Sequence, residues 1–351
     1  MCIRDSYGTM EINTGVTVEN AGGYSSMIRN GGDVTADCNL TIEGGNFAGG
    51  INTVKNDSFG VLTINGGNFS NTAQYVIMNW NKAEITAGTF RTLDTASAVL
   101  FTSAYGGDAN TIGKLSISGG EFKHASDTQE MIVDHYDETN KGNAVVTGGK
   151  FDADISKYIP TDYVQSADGT VEKLGETNAV AKVGGTYYKT LADAVAAAQD
   201  GDTITLLKDA ELTSTLNLAK NITIDGQGKY TIKAANSFTV GSDNKTYCVL
   251  YVSGEVTLKD VTVNGNEKCR VIFCDKGKLT IDGATITNGK APNFIGGVYM
   301  TSSASFEMKS GSITGNKNAK EYQNDEYLQY SSDLWIGANA NGALTAINGG
   351  T

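Results

Sequence analysis

Leu40-Thr-Ile-Glu-Gly-Gly-Asn-Phe47 is followed by Leu62-Thr-Ile-Asn-Gly-Gly-Asn-Phe69. The phrase returns as Ala83-Glu-Ile-Thr-Ala-Gly-Thr-Phe90, as Leu115-Ser-Ile-Ser-Gly-Gly-Glu-Phe122 and, more loosely, as Ala144-Val-Val-Thr-Gly-Gly-Lys-Phe151. Leu and Ile alternate with Thr, Ser, Glu or Asn, so one face of a short strand is apolar and the other polar. The Gly pair permits positive φ for a corner, after which Phe turns back toward the interior. No single phrase can bury its apolar face alone, whereas stacked copies can, each pairing its backbone with the coil above and below. The reading is a parallel β-helix, with Ile42, Ile64, Ile85 and Ile117 in one internal column. Such a scaffold does not name its function.

Working outward, Met10-Glu-Ile-Asn-Thr-Gly-Val-Thr-Val18 is a degenerate early coil. Asn71-Thr-Ala-Gln-Tyr-Val-Ile-Met-Asn79 and Ala98-Val-Leu-Phe-Thr-Ser103 read as further strands plus loops, and variable insertions there account for a drifting period. After Phe151 the phrase stops. Asp152 to Val164 reads as a closing segment over the last coil, and Gln165 to Lys173 as a hairpin with an Asp-Gly turn. Ala179 to Val183 and Thr186 to Tyr188 are strands around Gly184-Gly185. Thr190-Leu-Ala-Asp193 is a capping-box-like helix start, with Leu191, Ala194, Val195 and Ala198 on one face, and Gly201 is expected to end the helix. A short amphipathic helix over about 191–199 suits a cap that blocks end-to-end strand pairing.

A second array follows, with Asn221-Ile-Thr-Ile-Asp-Gly226, Val256 to Gly265, Leu279 to Asn288 and Phe306 to Gly315 as its phrases. Val249-Leu-Tyr-Val252, Val271-Ile-Phe-Cys274 and Gly297-Val-Tyr-Met300 are its partner strands. The expected organisation is all-β: a first module over 10–175 and a second over 176–351, with 1–9 outside the array and disordered.

Here a resemblance can be stated. Tyr187 through Gly226, with its Ala198-Gln-Asp-Gly-Asp-Thr-Ile204 run, resembles the start of a pectate-lyase-like right-handed parallel β-helix. The Gly-Gly-x-Phe phrases and the closing segment resemble tandem β-helix modules of large, adhesin-like surface proteins from gut Gram-positive bacteria. Met1-Cys-Ile-Arg-Asp-Ser6 lacks the apolar core of a signal peptide and resembles translated sequencing-adapter read-through from a metagenomic assembly. With the chain stopping inside a phrase at Thr351, it is read as an internal slice of a longer protein.

The 351 residues include 43 Gly and only 2 Pro, so the corners are made by Gly and Asn. A net charge of −12 repels phosphate backbones and disfavours nucleic-acid binding. No apolar run reaches the roughly 18 residues that span a bilayer. The five cysteines, Cys2, Cys38, Cys248, Cys269 and Cys274, have no metal-ligand spacing and read as buried thiols, with a Cys248–Cys269 bridge left open.

The resemblance implies what an enzyme would need. A lyase of that family calls for clustered carboxylates holding Ca²⁺ and an Arg or Lys base. A polygalacturonase-like hydrolase calls for paired Asp with His and an Arg-x-Lys element. The chain has four Arg and two His, His124 and His135, both in the first array, and no Asp-Asp pair or Arg-x-Lys element. Asp134-His-Tyr-Asp-Glu138 is the densest candidate for a base or metal ligand, but neighbours on a strand point to opposite faces, so it reads as a solvated loop. Asp200 and Asp202 carry no recognised Ca²⁺ motif. Asn65, Asp225, Asp282 and Asn348 are expected to make corner hydrogen bonds. Tyr322, Tyr327 and Tyr330, in a polar insertion with Trp335 beginning the next strand, are the candidate ligand contacts. The expectation is a non-enzymatic, extracellular, surface-associated scaffold. It binds no cofactor or metal, touches glycans or surface proteins, and is monomeric within its longer chain. The alternative is a β-helix polysaccharide lyase or glycoside hydrolase with an unrecognised site.

Overall fold

The computed structural model describes residues 3–6, 8–20, 25–32, 36–71, 73–93, 96–104, 111–291, 295–318, 333–337 and 345–350. The described chain is nearly all β, and its large sheets are parallel. It divides into two compact units, Met1–Lys173 and Leu174–Thr351.

In unit 1 the phrase strands Thr9–Ile12, Cys38–Ile42, Gly60–Ile64, Lys82–Ile85 and the first half of Lys114–Lys123 pair side by side, all parallel. The register runs Ile12, Ile42, Ile64, Ile85, Ile117, so the expected Ile column exists and lies within one buried core. The corner after it rests on the second glycine of each phrase. Gly67 has φ +110, and a Cβ there would sit 3.1 Å from Gly45 O and from the Phe69 ring. The first position needs no positive φ, and the third phrase carries Ala87 there, but at Gly66 a Cβ would sit 2.7 Å from Glu43 O, so close approach of the preceding coil is what favours glycine.

Past the corner, Phe47, Phe69, Phe90, Phe122 and Phe151 form a second column. Successive ring centroids lie 4.9, 4.9, 4.8 and 4.5 Å apart, with planes within 13° of parallel. That interval is the spacing between neighbouring strands, so strand pairing imposes the stack. A third column closes the coil. The middle strands Ile28–Asn30, Asn52–Asn56, Tyr75–Asn79 and Ala98–Thr102 end on Asn30, Asn56, Asn79 and Thr102, all with no solvent exposure. Asn30 Nδ2 donates to Asn56 Oδ1 at 2.9 Å, Asn56 Nδ2 to Asn79 Oδ1 at 2.8 Å, and Asn79 Nδ2 to Thr102 Oγ1 at 2.9 Å. Each amide also donates to a main-chain carbonyl, and Thr102 ends the run on Gly113 O at 2.8 Å.

The closing segment behaves as expected. Ile155 and Val171 complete the core of unit 1, Tyr158 Oη donates to Ile132 O at 3.0 Å, and Tyr163–Gln165 pairs antiparallel with Val171–Lys173. At the other end, Ile3–Ser6, expected to be disordered, pairs in parallel with Ile28–Asn30. Its backbone continues the middle-strand sheet instead of standing apart from it.

Unit 2 begins with Ala181–Val183 paired antiparallel to both Thr186–Tyr188 and Thr203–Leu206. The helix Leu191–Ala197 follows, burying Leu191, Ala194 and Val195, with Ala198 also buried. Thr190 Oγ1 accepts the Asp193 amide at 3.0 Å, and Asp193, shorter than the usual Glu, takes the Thr190 hydroxyl at 2.7 Å. Gly201 does not end this helix. Ala198 already turns to ψ 148, and Lys220 Nζ caps the last turn, donating to the carbonyls of Val195, Ala196 and Ala198 at 3.2, 2.7 and 2.6 Å.

The parallel strands Thr203–Leu206, Ile222–Asp225, Glu255–Lys259, Gly277–Thr287 and Ala304–Thr314 then stack with Ile204, Ile224, Leu258, Ile281 and Met308 in register. The corner column here is Ile232, Val263, Ile286 and Ile313, and the middle strands end on Leu218, Val252, Cys274, Met300 and Ile336.

Candidate functional site

Tyr322, Tyr327 and Tyr330 lie outside the described residues. Trp335 does sit in a strand, Leu334–Ile336, where it is opposite Tyr299. It thereby joins an outward column of Tyr251, Phe273 and Tyr299 on the middle strands of unit 2, whose ring centroids lie 6.0 and 5.4 Å apart. The sequence reading missed this column because it crosses three coils. Its chemistry is mostly internal, since ring faces turned toward one another leave edges for a ligand. Arg270, itself buried, lies 4.8 Å over the Tyr299 ring and donates to Ile295 O at 2.9 Å and Asn244 Oδ1 at 3.1 Å. Tyr251 Oη donates to Asp275 at 3.0 Å, and Lys245 reaches the same carboxylate at 3.1 Å.

The Asp134–Glu138 segment is a loop that the Asp134 and Asp137 carboxylates help to build. Asp137 Oδ1 accepts the amides of Thr139 and Asn140, both at 2.9 Å. The side chains of Thr139 and Asn140, together with these amides, hold its pKa down to about 2. Asp134 lies 3.1 Å from His135 Nδ1 and 2.8 Å from Lys157 Nζ. Partial burial pushes its pKa up, but Lys157 and His135 more than offset this and leave it below the ordinary range. His124 is 2.9 Å from Asp152, on a different strand end. Among the described residues no group of three or more His, Cys, Asp or Glu could hold a metal. The four described cysteines are free and buried, and burial pushes Cys248, Cys269 and Cys274 up to about 12, far from a working nucleophile.

Charged side chains do converge on the outer face of the large sheet of unit 2. Asp225, Lys259, Asp282 and Lys309 alternate in sign there, with Lys259 2.9 Å from Asp225 and Lys309 3.6 Å from Asp282. Lys278 pairs with Glu307 beside a small cavity of about 170 Å³ that Glu255, Thr257 and Thr280 also line. A lysine base needs a lowered pKa, whereas hydrogen bonding to Asp225 raises that of Lys259. The corner roles expected of Asn65 and Asp225 hold: Asn65 donates to Glu43 and accepts from Thr86, both at 2.9 Å, and Asp225 accepts the Gln227 amide at 2.8 Å.

Unit 1 carries a counterpart outside its Phe column whose floor is uncharged. A groove of about 480 Å³ runs over Asn46, Ala48, Asn68 and Ser70, with Glu19 and Arg91 at its sides. Asn68 Nδ2 donates to Asn46 Oδ1 at 2.9 Å. These are the phrase residues flanking Phe. Their small polar character was the available signal, and it suits hydroxyl and amide groups better than a reacting anion. No protein-family profile, curated protein or solved structure matches the chain.

Proposed function

We propose that the chain serves as a non-enzymatic, exported bacterial surface protein, whose two units are right-handed parallel β-helices of the pectate-lyase-like kind. It acts as a rigid spacer that presents polar walls and loops to glycans or to proteins of other surfaces. The observation that carries this reading is the unbroken registration of side-chain columns from coil to coil, Ile12 to Ile117 and Phe47 to Phe151. Coils locked by columns make a stiff support, and loop length can vary around it without disturbing the core. The right-handed sense follows the general preference of parallel crossovers.

A second reading, a polysaccharide lyase or hydrolase, is favoured by the convergence of Asp225, Lys259, Asp282 and Lys309 on one sheet. Their pairing counts against it, because elimination beside a carboxylate needs a neutral base and concentrated positive charge. A net charge of −12 also repels a polyuronate. Purified protein incubated with pectin or polygalacturonate, with and without Ca²⁺, is expected to release no unsaturated uronate. Ultraviolet absorbance of that product above a buffer control, lost in Lys259→Ala, would replace the scaffold by the enzyme.

A further inference from the structure

Tyr136 is the most exposed aromatic among the described residues, at 61%. It stands in the same loop whose His and carboxylates drew attention in the sequence, and it is held firmly. Its amide donates to both Ser103 Oγ and Asn140 O at 3.1 Å, Ser103 is fully buried, and the Asp137 turn closes the loop behind it. Its ring centroid lies 5.6 Å from that of Trp80, which in turn meets Phe101 edge-on at 5.1 Å. Between Tyr136 and the coil wall opens a cleft of about 360 Å³, floored by Trp80 and Met78 and edged by Lys55 and Asp57. Asp57 lies 2.8 Å from both Lys55 Nζ and Arg29 Nη2. Burial pushes the Asp57 carboxyl up, but hydrogen bonds and charge from Lys55 and Arg29 outweigh this and keep it below the ordinary range, hence ionised.

An aromatic ring held by backbone bonds at the wall of an indole-floored cleft is placed to meet a ligand. The cleft combines an apolar ring wall, an indole floor, an acceptor carboxylate and a donor ammonium on a rigid coil. Pyranose rings match that set, with C–H faces for aromatic rings and hydroxyls for a carboxylate and an ammonium. Both cations are already shared with Asp57, so the cleft offers little to a free anion, and the overall charge opposes one.

We propose that the cleft walled by Tyr136 and floored by Trp80 and Met78 is a saccharide-binding subsite of unit 1 that takes a neutral hexopyranose residue of a glycan. This deepens the glycan-contact part of the function proposed above and rests on it.

The test uses the full 351-residue chain and tryptophan emission, because only Trp80 and Trp335 emit and Trp335→Phe leaves Trp80 alone. The probes are hexasaccharides of glucan, mannan and galactan, with oligogalacturonate as the acidic comparison. At least one neutral hexasaccharide is expected to perturb Trp80 emission saturably. Tyr136→Ala should weaken binding about tenfold, and Lys55→Ala by a smaller factor, while circular dichroism stays unchanged. Tyr327→Ala should bind as the parent does. Binding lost in Tyr327→Ala but intact in Tyr136→Ala would overturn the cleft and leave the glycan-binding scaffold standing. Preference for oligogalacturonate would overturn the neutral-sugar assignment. Absence of binding to every probe would overturn the subsite, and failure of the chain to bind any cell surface as well would take the broader reading with it.

Discussion

The two units solve one problem with different interiors. Where unit 1 turns its corner on a stack of five Phe rings, unit 2 uses Ile232, Val263, Ile286 and Ile313. Where the middle strands of unit 1 end on Asn30, Asn56, Asn79 and Thr102, those of unit 2 end on Leu218, Val252, Cys274 and Met300. Parallel pairing sets the spacing in both, so neither chemistry is required to make a coil. What the chemistry changes is tolerance. Amide and ring columns are directional and penalise a slipped register, while aliphatic and thiol columns need only volume.

The largest expected difference appears in alkali. Cys248, Cys269 and Cys274 all belong to unit 2, and burial raises each from 9.0 to about 12. Their folded pKa lies above the unfolded one, so the stability they support is intact below pH 9 and is lost as pH rises toward 12. Unit 1 has milder liabilities, the half-buried Tyr75 and Tyr158, also raised by burial. Unit 2 is therefore expected to unfold first on alkaline titration, followed by Trp335 emission in Trp80→Phe and by Trp80 emission in Trp335→Phe. Simultaneous loss, or loss of unit 1 first, would break the comparison.

Next in size is Phe69→Ala. It removes a fully buried ring from the middle of the stack and should cost about 3–5 kcal/mol. Hydrogen exchange should show lost protection in the coils around Phe47 and Phe90 and unchanged protection in residues 174–351. Equal loss in both units would show that they are not separate cooperative blocks.

The smallest contrast is also the sharpest. Asn56→Leu takes from the buried Asn79 Oδ1 its Asn56 donor, while Asn30 Nδ2 keeps the Cys38 and Val61 carbonyls, and it should cost about 1–3 kcal/mol for the stranded acceptor. Cys274→Val, at the matching strand end of unit 2, should cost less than about 1.5 kcal/mol. Denaturant midpoints of the two variants measure this, and equal costs would remove the distinction between the columns.

Much of this was legible in the residues. Period-two alternation exposed the Ile column, the repeated Gly before Phe exposed the corner, and Thr190 with Leu191, Ala194 and Val195 exposed the cap. The end of that cap was not legible, because the carbonyls that Gly201 was expected to terminate are closed by Lys220 from the next coil. The amide column was missed because Asn at a strand end reads as a loop residue until its neighbours are known to stack. Tyr136, in a run that reads as a solvated loop, is not legible as a site residue for a related reason. Its surroundings come from Ser103, Trp80 and Lys55, residues of three other coils.

The central claim is that each unit is one register-locked stack. Methyl-resolved nuclear Overhauser spectroscopy of the Ile-labelled chain tests it most directly. The account predicts cross-peaks between Ile42 and Ile64, Ile64 and Ile85, and Ile85 and Ile117, with none between Ile42 and Ile117. Ile methyls that instead report separate neighbourhoods, with no contact between successive phrases, would contradict it.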